Sequence, residues 1–300
     1  MPAVLTVPSF AAWTADPWAL VRSEEFRAAA PDIISATAPA GLSVDSVTHI
    51  RTAHYAAYRV EAGGREWLVR IGVSTPADSA PAENTGFLGT STGSPTGQER
   101  EYQLARDFAA AGAPVIVPEQ YAVIPGCFSD GTGLDVLWLP FMTATDTPDA
   151  LSAAHWARAL TPLHRSRPDA WLPVFTNRAK SMARLEKLTD RQKAAALAAE
   201  YDRNLAALFR TATVWGPVHG DAHAGNVLVV DGEPILFDFD TVCWAPAVWD
   251  ITHLIVRAGG EGNTGFTADG IREAFDFTDA EVKTAVALRL TARTIARAGR

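Results

Sequence analysis

One segment, VHGDAHAGNVLVVDGEPILFDFD at residues 218–240, constrains this chain more than any other. It reads as an irregular polar loop, a β-branched strand, an Asp231-Gly232 turn and a second strand, which together predict a hairpin. A tight turn brings the two ends of a hairpin side by side. Asn226 at the entry and Asp238 at the exit are therefore expected to face one another. An amide oxygen and a carboxylate converging there suit a hard cation such as Mg²⁺, which keeps further oxygen ligands of its own. Asp221, five residues before Asn226, then falls beside that site, placed to accept a proton from a hydroxyl group.

What precedes this segment has two textures. SVTHI, AAYRVEA and REWLVRIGV, the last two joined by Gly63-Gly64, read as strands. Residues 74–98 are rich in Ser, Thr, Gly, Pro and Ala with few large apolar residues, and are expected to form a mobile insertion. A helix is predicted from Glu99, stopped by Gly112 and Pro114, and VIVPEQYAVI and LDVLWLPF read as two further strands. The first part of the chain is thus a small sheet carrying one helix.

Beyond residue 141 the pattern is mostly helical. One helix is expected to open with Thr147 as cap and Pro148 at its first position, and to end before Pro168. A single Ala- and Leu-rich helix is expected over about 178–209, and a last one starts at a Thr278/Glu281 capping box. The expected division is an α+β chain in two lobes, residues 1–140 and 141–300, with ligand bound in a cleft.

Composition excludes several classes. With 300 residues, 48% of them hydrophobic, and a net charge of -8, the chain is globular and poorly suited to nucleic acid. It has neither a membrane-length apolar run nor a recognisable leader, so a cytoplasmic protein without a membrane partner is expected. Cys127 and Cys243 stand far apart and read as reduced thiols. Nothing in the pattern fixes an oligomeric state. All four lysines lie after residue 141, so the first lobe has none.

HGDAHAGN followed by FDFD resembles the aminoglycoside phosphotransferase family, whose HGDxxxxN loop and following Asp are counterparts of the protein-kinase catalytic loop and metal-binding Asp. WDITHL, EREYQLARDFAAAGAPV and LWLPF resemble the family's Asp-bearing helix start, lone N-lobe helix and hinge. The resemblance implies a kinase-like two-lobed fold with a nucleotide-binding lobe over 1–140 and a catalytic, acceptor-binding lobe over 141–300. It implies ATP or GTP as co-substrate, Mg²⁺ held by Asn226 and Asp238, and Asp221 orienting or deprotonating the hydroxyl of a small-molecule acceptor. His219 is then a structural hydrogen-bonder, Asp250 a brace accepting loop N–H groups, and His223 loop packing. The hinge, with Trp138 and Phe141, meets the base of the nucleotide.

The sequence departs from a kinase where phosphates need a cation. Arg70 stands at the position usually held by lysine, with Glu101 as its expected partner and Glu99 as competitor. The turn in IRTAHYAAYRV carries no glycine, unlike protein kinases. Trp215, Trp244 and Trp249 read as core before ligand stackers. The leading acceptor implied by resemblance is an aminoglycoside or related antibiotic. Alternatives are a metabolic kinase for choline, an amino alcohol or a sugar, and a nucleotide-binding module without catalysis.

Overall fold

Alternation over residues 44–74 produces three strands, β1 (Val44–Thr52), β2 (Ala56–Ala62) and β3 (Arg65–Ser74). In this computed structural model the described residues are 19, 21–52, 55–74, 97–124, 133–170, 172–258 and 265–298. With β4 (Gln120–Ile124) and β5 (Gly133–Pro140) the strands form one antiparallel sheet in the order β1-β2-β3-β5-β4. The α+β class expected from the sequence is present.

One helix was expected with this sheet; the described residues hold a further one. Before β1 lies α1 (Glu24–Ala36), capped by Ser23, whose hydroxyl accepts from Phe26 N–H. Its interior Pro31 hides it in sequence, since proline removes a ladder donor and usually ends a helix. Burial of Phe26, Ala30, Ile33 and Ile34 against Val60, Val69, Ile71, Val136 and Trp138 offsets that cost. The other helix is α2 (Gly97–Ala110). Side chains on a strand alternate, so with Val69 and Ile71 in the α1-side core, Arg70 points to the opposite face.

The described residues up to Met142, apart from 107–115, form one compact unit, and 107–115 with the chain from Thr143 onward form a second. In the second unit the first helix starts later than expected. Residues 148–150 make only a 3-10 turn, and α3 (Ala153–Arg165) begins after Ser152, which shares a capping box with His155. The expected helix over about 178–209 is two, α4 (Asn177–Glu186) and α5 (Arg191–Thr211), because Asp190 caps a new helix by accepting from Lys193 N–H.

The hairpin is β7 (Val227–Val230) with β8 (Glu233–Leu236), turning on Asp231 and Gly232, both left-handed at φ 52° and 81°. Outside it lies a pair the sequence reading missed, β6 (Trp215–Val218) with β9 (Cys243–Pro246). Then follow α6 (Val248–Ala258), α7 (Ala268–Phe275) and α8 (Asp279–Ala298). The Thr278/Glu281 capping box is formed, and Glu281 also accepts from Thr213 N–H at 2.7 Å, tying the start of α8 to the approach to β6.

The expected mobile insertion falls almost wholly outside the described residues; Ser74 ends β3, and Gly97 and Gln98 open α2. Cys127 also lies outside them, while Cys243 is buried and in no disulfide among the described residues. Among the described residues no helix is long and apolar enough to cross a membrane.

Candidate active site

The two ladders are nested. The chain leaves β6 at Val218, runs through residues 219–226, makes the β7–β8 hairpin, and re-enters through 237–242 to pair Cys243 with Val218. Both polar connections are thereby held between two short ladders and laced together. Thr241 Oγ1 donates to His219 O at 2.8 Å, and His219 Nε2 lies 3.0 Å from Phe237 O. His219 is fully buried.

Asp250, in the first turn of α6, fixes the loop from behind. Its Oδ2 accepts from His219 N–H and its Oδ1 from Gly220 N–H, both at 2.8 Å. His164 of α3, which sequence reasoning missed, places Nε2 2.9 Å from Oδ2. Full burial works to raise the Asp250 carboxyl, but His164 and the His219 contacts outweigh it and hold the group below the usual carboxylate range. Gly220 sits at φ 83°, and a Cβ there would run into the Thr241 carbonyl oxygen, so only glycine lets the loop pass.

Asp221 emerges half-buried from this support. His253 Nε2 of α6 lies 3.0 Å from its Oδ1 and His223 Nε2 3.4 Å from its Oδ2. Burial again pushes the carboxyl upward, and the two imidazoles more than cancel it, so Asp221 stays ionised far below the usual range. Burial pulls the His253 imidazole down, which Asp221 only partly opposes, leaving it neutral at pH 7. The signal for His253 was available: it stands three residues after Asp250, on the same helix face. His223 does more than pack, since its Nδ1 also accepts from Gly225 N–H at 2.8 Å.

Asn226 donates its amide to Asp221 O at 3.0 Å, and its own carbonyl accepts from Phe237 N–H at 3.2 Å. Asp238 is the next residue along, in the left-handed region at φ 67°, a strained conformation for a side chain of this kind. The pairing of Val227 with Leu236 thus brings Asn226 and the 237–238 segment to the same end of the hairpin. The Asn226 side-chain oxygen has no hydrogen-bond partner among the described residues. An uncommitted amide oxygen and a neighbouring carboxylate fit a hard cation that completes its shell with water and phosphate oxygens. Among the described residues no group of three or more His, Cys, Asp or Glu forms a cage by itself.

In the first unit Arg70 and Glu101 form a bidentate pair, Nη1 to Oε1 at 2.9 Å and Nη2 to Oε2 at 2.6 Å, both side chains buried. The guanidinium lies 3.8 Å from the Tyr55 ring centroid. Glu99 instead meets Gln103 at 3.5 Å. Trp138 is fully buried in the sheet core, and its carbonyl accepts from Glu119 N–H at 2.8 Å. Phe141 donates its N–H to Glu66 O at 3.1 Å, and Arg59 lies over its ring. These two backbone groups are thus engaged within the unit.

Beside Asp221 the second unit holds a cavity of about 230 Å³, reaching from Gly220 and Asp221 to α4 and α8. Trp249 forms part of its wall with Arg289 stacked 3.6 Å from its ring, whereas Trp215 packs on Phe209 and Trp244 lies under Arg167.

A sequence model of the phosphotransferase enzyme family matches residues 51–284, most of the chain. Among solved structures, amicoumacin kinase hAmiN in complex with AMP-PNP, Ca²⁺ and Ami is similar at TM-score 0.62 and 15% identity, covering 92% of this chain and 86% of that one. Spectinomycin phosphotransferase APH(9)-Ia, in complex with ADP and spectinomycin, is similar at 0.56 and 13%, covering 95% and 88%. A thermostable mutant of aminoglycoside phosphotransferase APH(4)-Ia is similar at 0.53 and 11%, covering 85% and 89%. At such identities the likeness is one of fold, and the fold is kinase-like. No curated protein matches the chain.

Proposed function

The chain belongs to the phosphotransferase enzyme family, and from that premise we propose that it moves the γ-phosphoryl group of ATP or GTP to a hydroxyl of a small molecule. The observation that carries this reading is the Asp221 carboxylate at the cavity, faced by two imidazoles, with its backbone carbonyl bonded by the amide of Asn226. Mg²⁺, when bound to the nucleotide, neutralises charge on the phosphate oxygens; Asn226 and Asp238 are the residues that would hold it. Asp221 accepts a hydrogen bond from the acceptor hydroxyl and so aims its oxygen at the γ-phosphorus. As the new P–O bond forms, the bond from phosphorus to the β–γ bridging oxygen breaks, the nucleoside diphosphate leaves with the electron pair, and the hydroxyl proton passes to Asp221.

A carboxylate held this acidic is a weak base towards an ordinary alcohol. Its main work is orientation, with proton transfer late, when the loose transition state has made the hydroxyl acidic. This gives a pH prediction. Turnover needs the carboxylate and is lost as pH falls through its pKa. His253→Ala removes one group that keeps that pKa low, so the acid limb of kcat/KM should move to higher pH than in wild type, in profiles run from pH 8 down to the lowest pH at which both chains stay folded.

Arg70 is assigned to the nucleotide phosphates, positioned by Glu101. Arg70→Ala is expected to raise KM for nucleotide and lower turnover by about 2–5 kcal/mol in transition-state terms, the cost of truncating one partner of a buried charge pair. Glu101→Ala should act similarly, and the double variant should be little worse than either. Arg70→Lys recovers only part, since a point charge replaces a planar fork. Unchanged nucleotide kinetics in Arg70→Ala would remove the residue from the site.

The direct test of function incubates purified chain with Mg²⁺ and γ-labelled ATP or GTP over a panel of aminoglycosides, aminocyclitols, choline, sugars and sugar acids. Label is expected in the acceptor fraction. Tight nucleotide binding with no labelled acceptor would favour the alternative, a binding module.

A further inference from the structure

The wall of the cavity beside Asp221 is basic. Lys180 and Arg184 reach it from α4, and Arg289 and Arg293 from α8, while Asp221 is the single carboxylate among its lining residues. Lys180, Arg184 and Arg293 form no ion pair among the described residues. Arg289 is 4% exposed, yet no carboxylate approaches it within ion-pair range; it donates to Thr252 Oγ1 at 2.8 Å and stacks on Trp249. A buried guanidinium normally has a carboxylate partner, because desolvating a lone charge is costly. Asp221 and Asp250 act on Arg289 only from beyond contact range, and the other carboxylates of neighbouring helices are engaged elsewhere, Asp202 with Arg178 and Glu200 with Thr291.

Further features point the same way. The first turn of α4, with Thr176 and Asn177, lines the cavity, and Thr176 makes no side-chain cap to the helix, leaving the positive end of the helix dipole towards it. The cavity volume of about 230 Å³ is below that usual for drug-sized ligands.

Resting on the phosphotransferase reading of Asp221, we infer that the acceptor is a small hydroxyl compound carrying its own anionic group, a carboxylate or phosphate monoester, held by Lys180, Arg184, Arg289 and Arg293 while its hydroxyl faces Asp221. Four cations against one carboxylate repel a molecule with several ammonium groups, so a polycationic aminoglycoside is disfavoured by the same charges that hold an anion. The transfer step is unchanged: the hydroxyl oxygen gains the phosphoryl group, and the anionic group keeps its charge and does not react.

The test uses the full chain and four probes: glucuronate, glucose 6-phosphate, neutral glucose and cationic kanamycin, titrated calorimetrically at low ionic strength. At least one anion should bind tenfold or more tightly than glucose and than kanamycin, weaken as salt rises, and lose at least tenfold affinity in Lys180→Ala/Arg293→Ala. Which anion binds separates a carboxylate acceptor from a phosphate one. Tightest binding of kanamycin, equal binding of glucose and the anions, or no loss in the double variant overturns the proposal. So does a double variant whose defect is in KM for ATP, because the cations would then serve the nucleotide. ATP cleavage without acceptor reports separately on the underlying reading. A chain that binds the anions but never cleaves ATP loses that reading and keeps this site; one that phosphorylates kanamycin in preference loses only the anionic acceptor.

Discussion

Replacing Asp221 by asparagine is expected to lower kcat by about two to four orders of magnitude, the usual contribution of a positioned proton acceptor. The amide matches the carboxylate in shape but cannot take the hydroxyl proton, and it presents a donor where His223 and His253 now face an anion. Nucleotide binding should survive. Asn226 is oriented by a bond to the backbone carbonyl of Asp221, which the substitution leaves in place, and Asp238 is untouched. Steady-state kinetics beside nucleotide titration separate the two effects. A variant that loses nucleotide binding in proportion to turnover would move Asp221 from the reaction to the nucleotide site.

Asp250→Ala should have the largest effect on stability, about 3–5 kcal/mol, because it removes one partner of a buried charged contact and orphans two backbone donors. His219 N–H and Gly220 N–H would lose their acceptor and His164 its carboxylate. The pH dependence follows from the direction of the shift. The carboxyl is held below its ordinary value in the folded chain, so its contribution is fully present above the unfolded-state pKa and is lost as pH falls through the folded one. The gap between wild type and variant, measured by urea unfolding, should therefore be widest near neutrality and shrink towards acid. A constant gap would mean that Asp250 acts by shape alone.

How much of this was legible in sequence depends on how local the chemistry is. Asp221, Asn226 and Asp238 lie within eighteen residues, and the Asp231-Gly232 turn fixes which residues meet, so their placement followed from register. The Arg70 and Glu101 pair was also readable, because the family resemblance marks a cation on the third strand and a helix glutamate as its partner. The pair β6–β9 was not: WGPV and CWAP are four residues each, contain proline, and show no alternation. The break between α4 and α5 was missed because Lys187, Leu188 and Thr189 carry no Gly or Pro, and only Asp190 marks the restart. The cavity wall was the least legible part. Lys180 and Arg293 stand on helices more than a hundred residues apart, and a charge on an amphipathic helix ordinarily reads as solvated.

The central claim is that this chain makes a phosphate ester on a small-molecule hydroxyl with Asp221 at the acceptor. Phosphorus NMR of a reaction holding chain, Mg²⁺, nucleotide and an accepted compound tests it most directly. The expected spectrum shows a new phosphomonoester growing in step with nucleoside diphosphate, and none over the same period with Asp221→Asn at equal nucleotide occupancy. Diphosphate with inorganic phosphate and no ester, or an ester formed equally fast by Asp221→Asn, would contradict it.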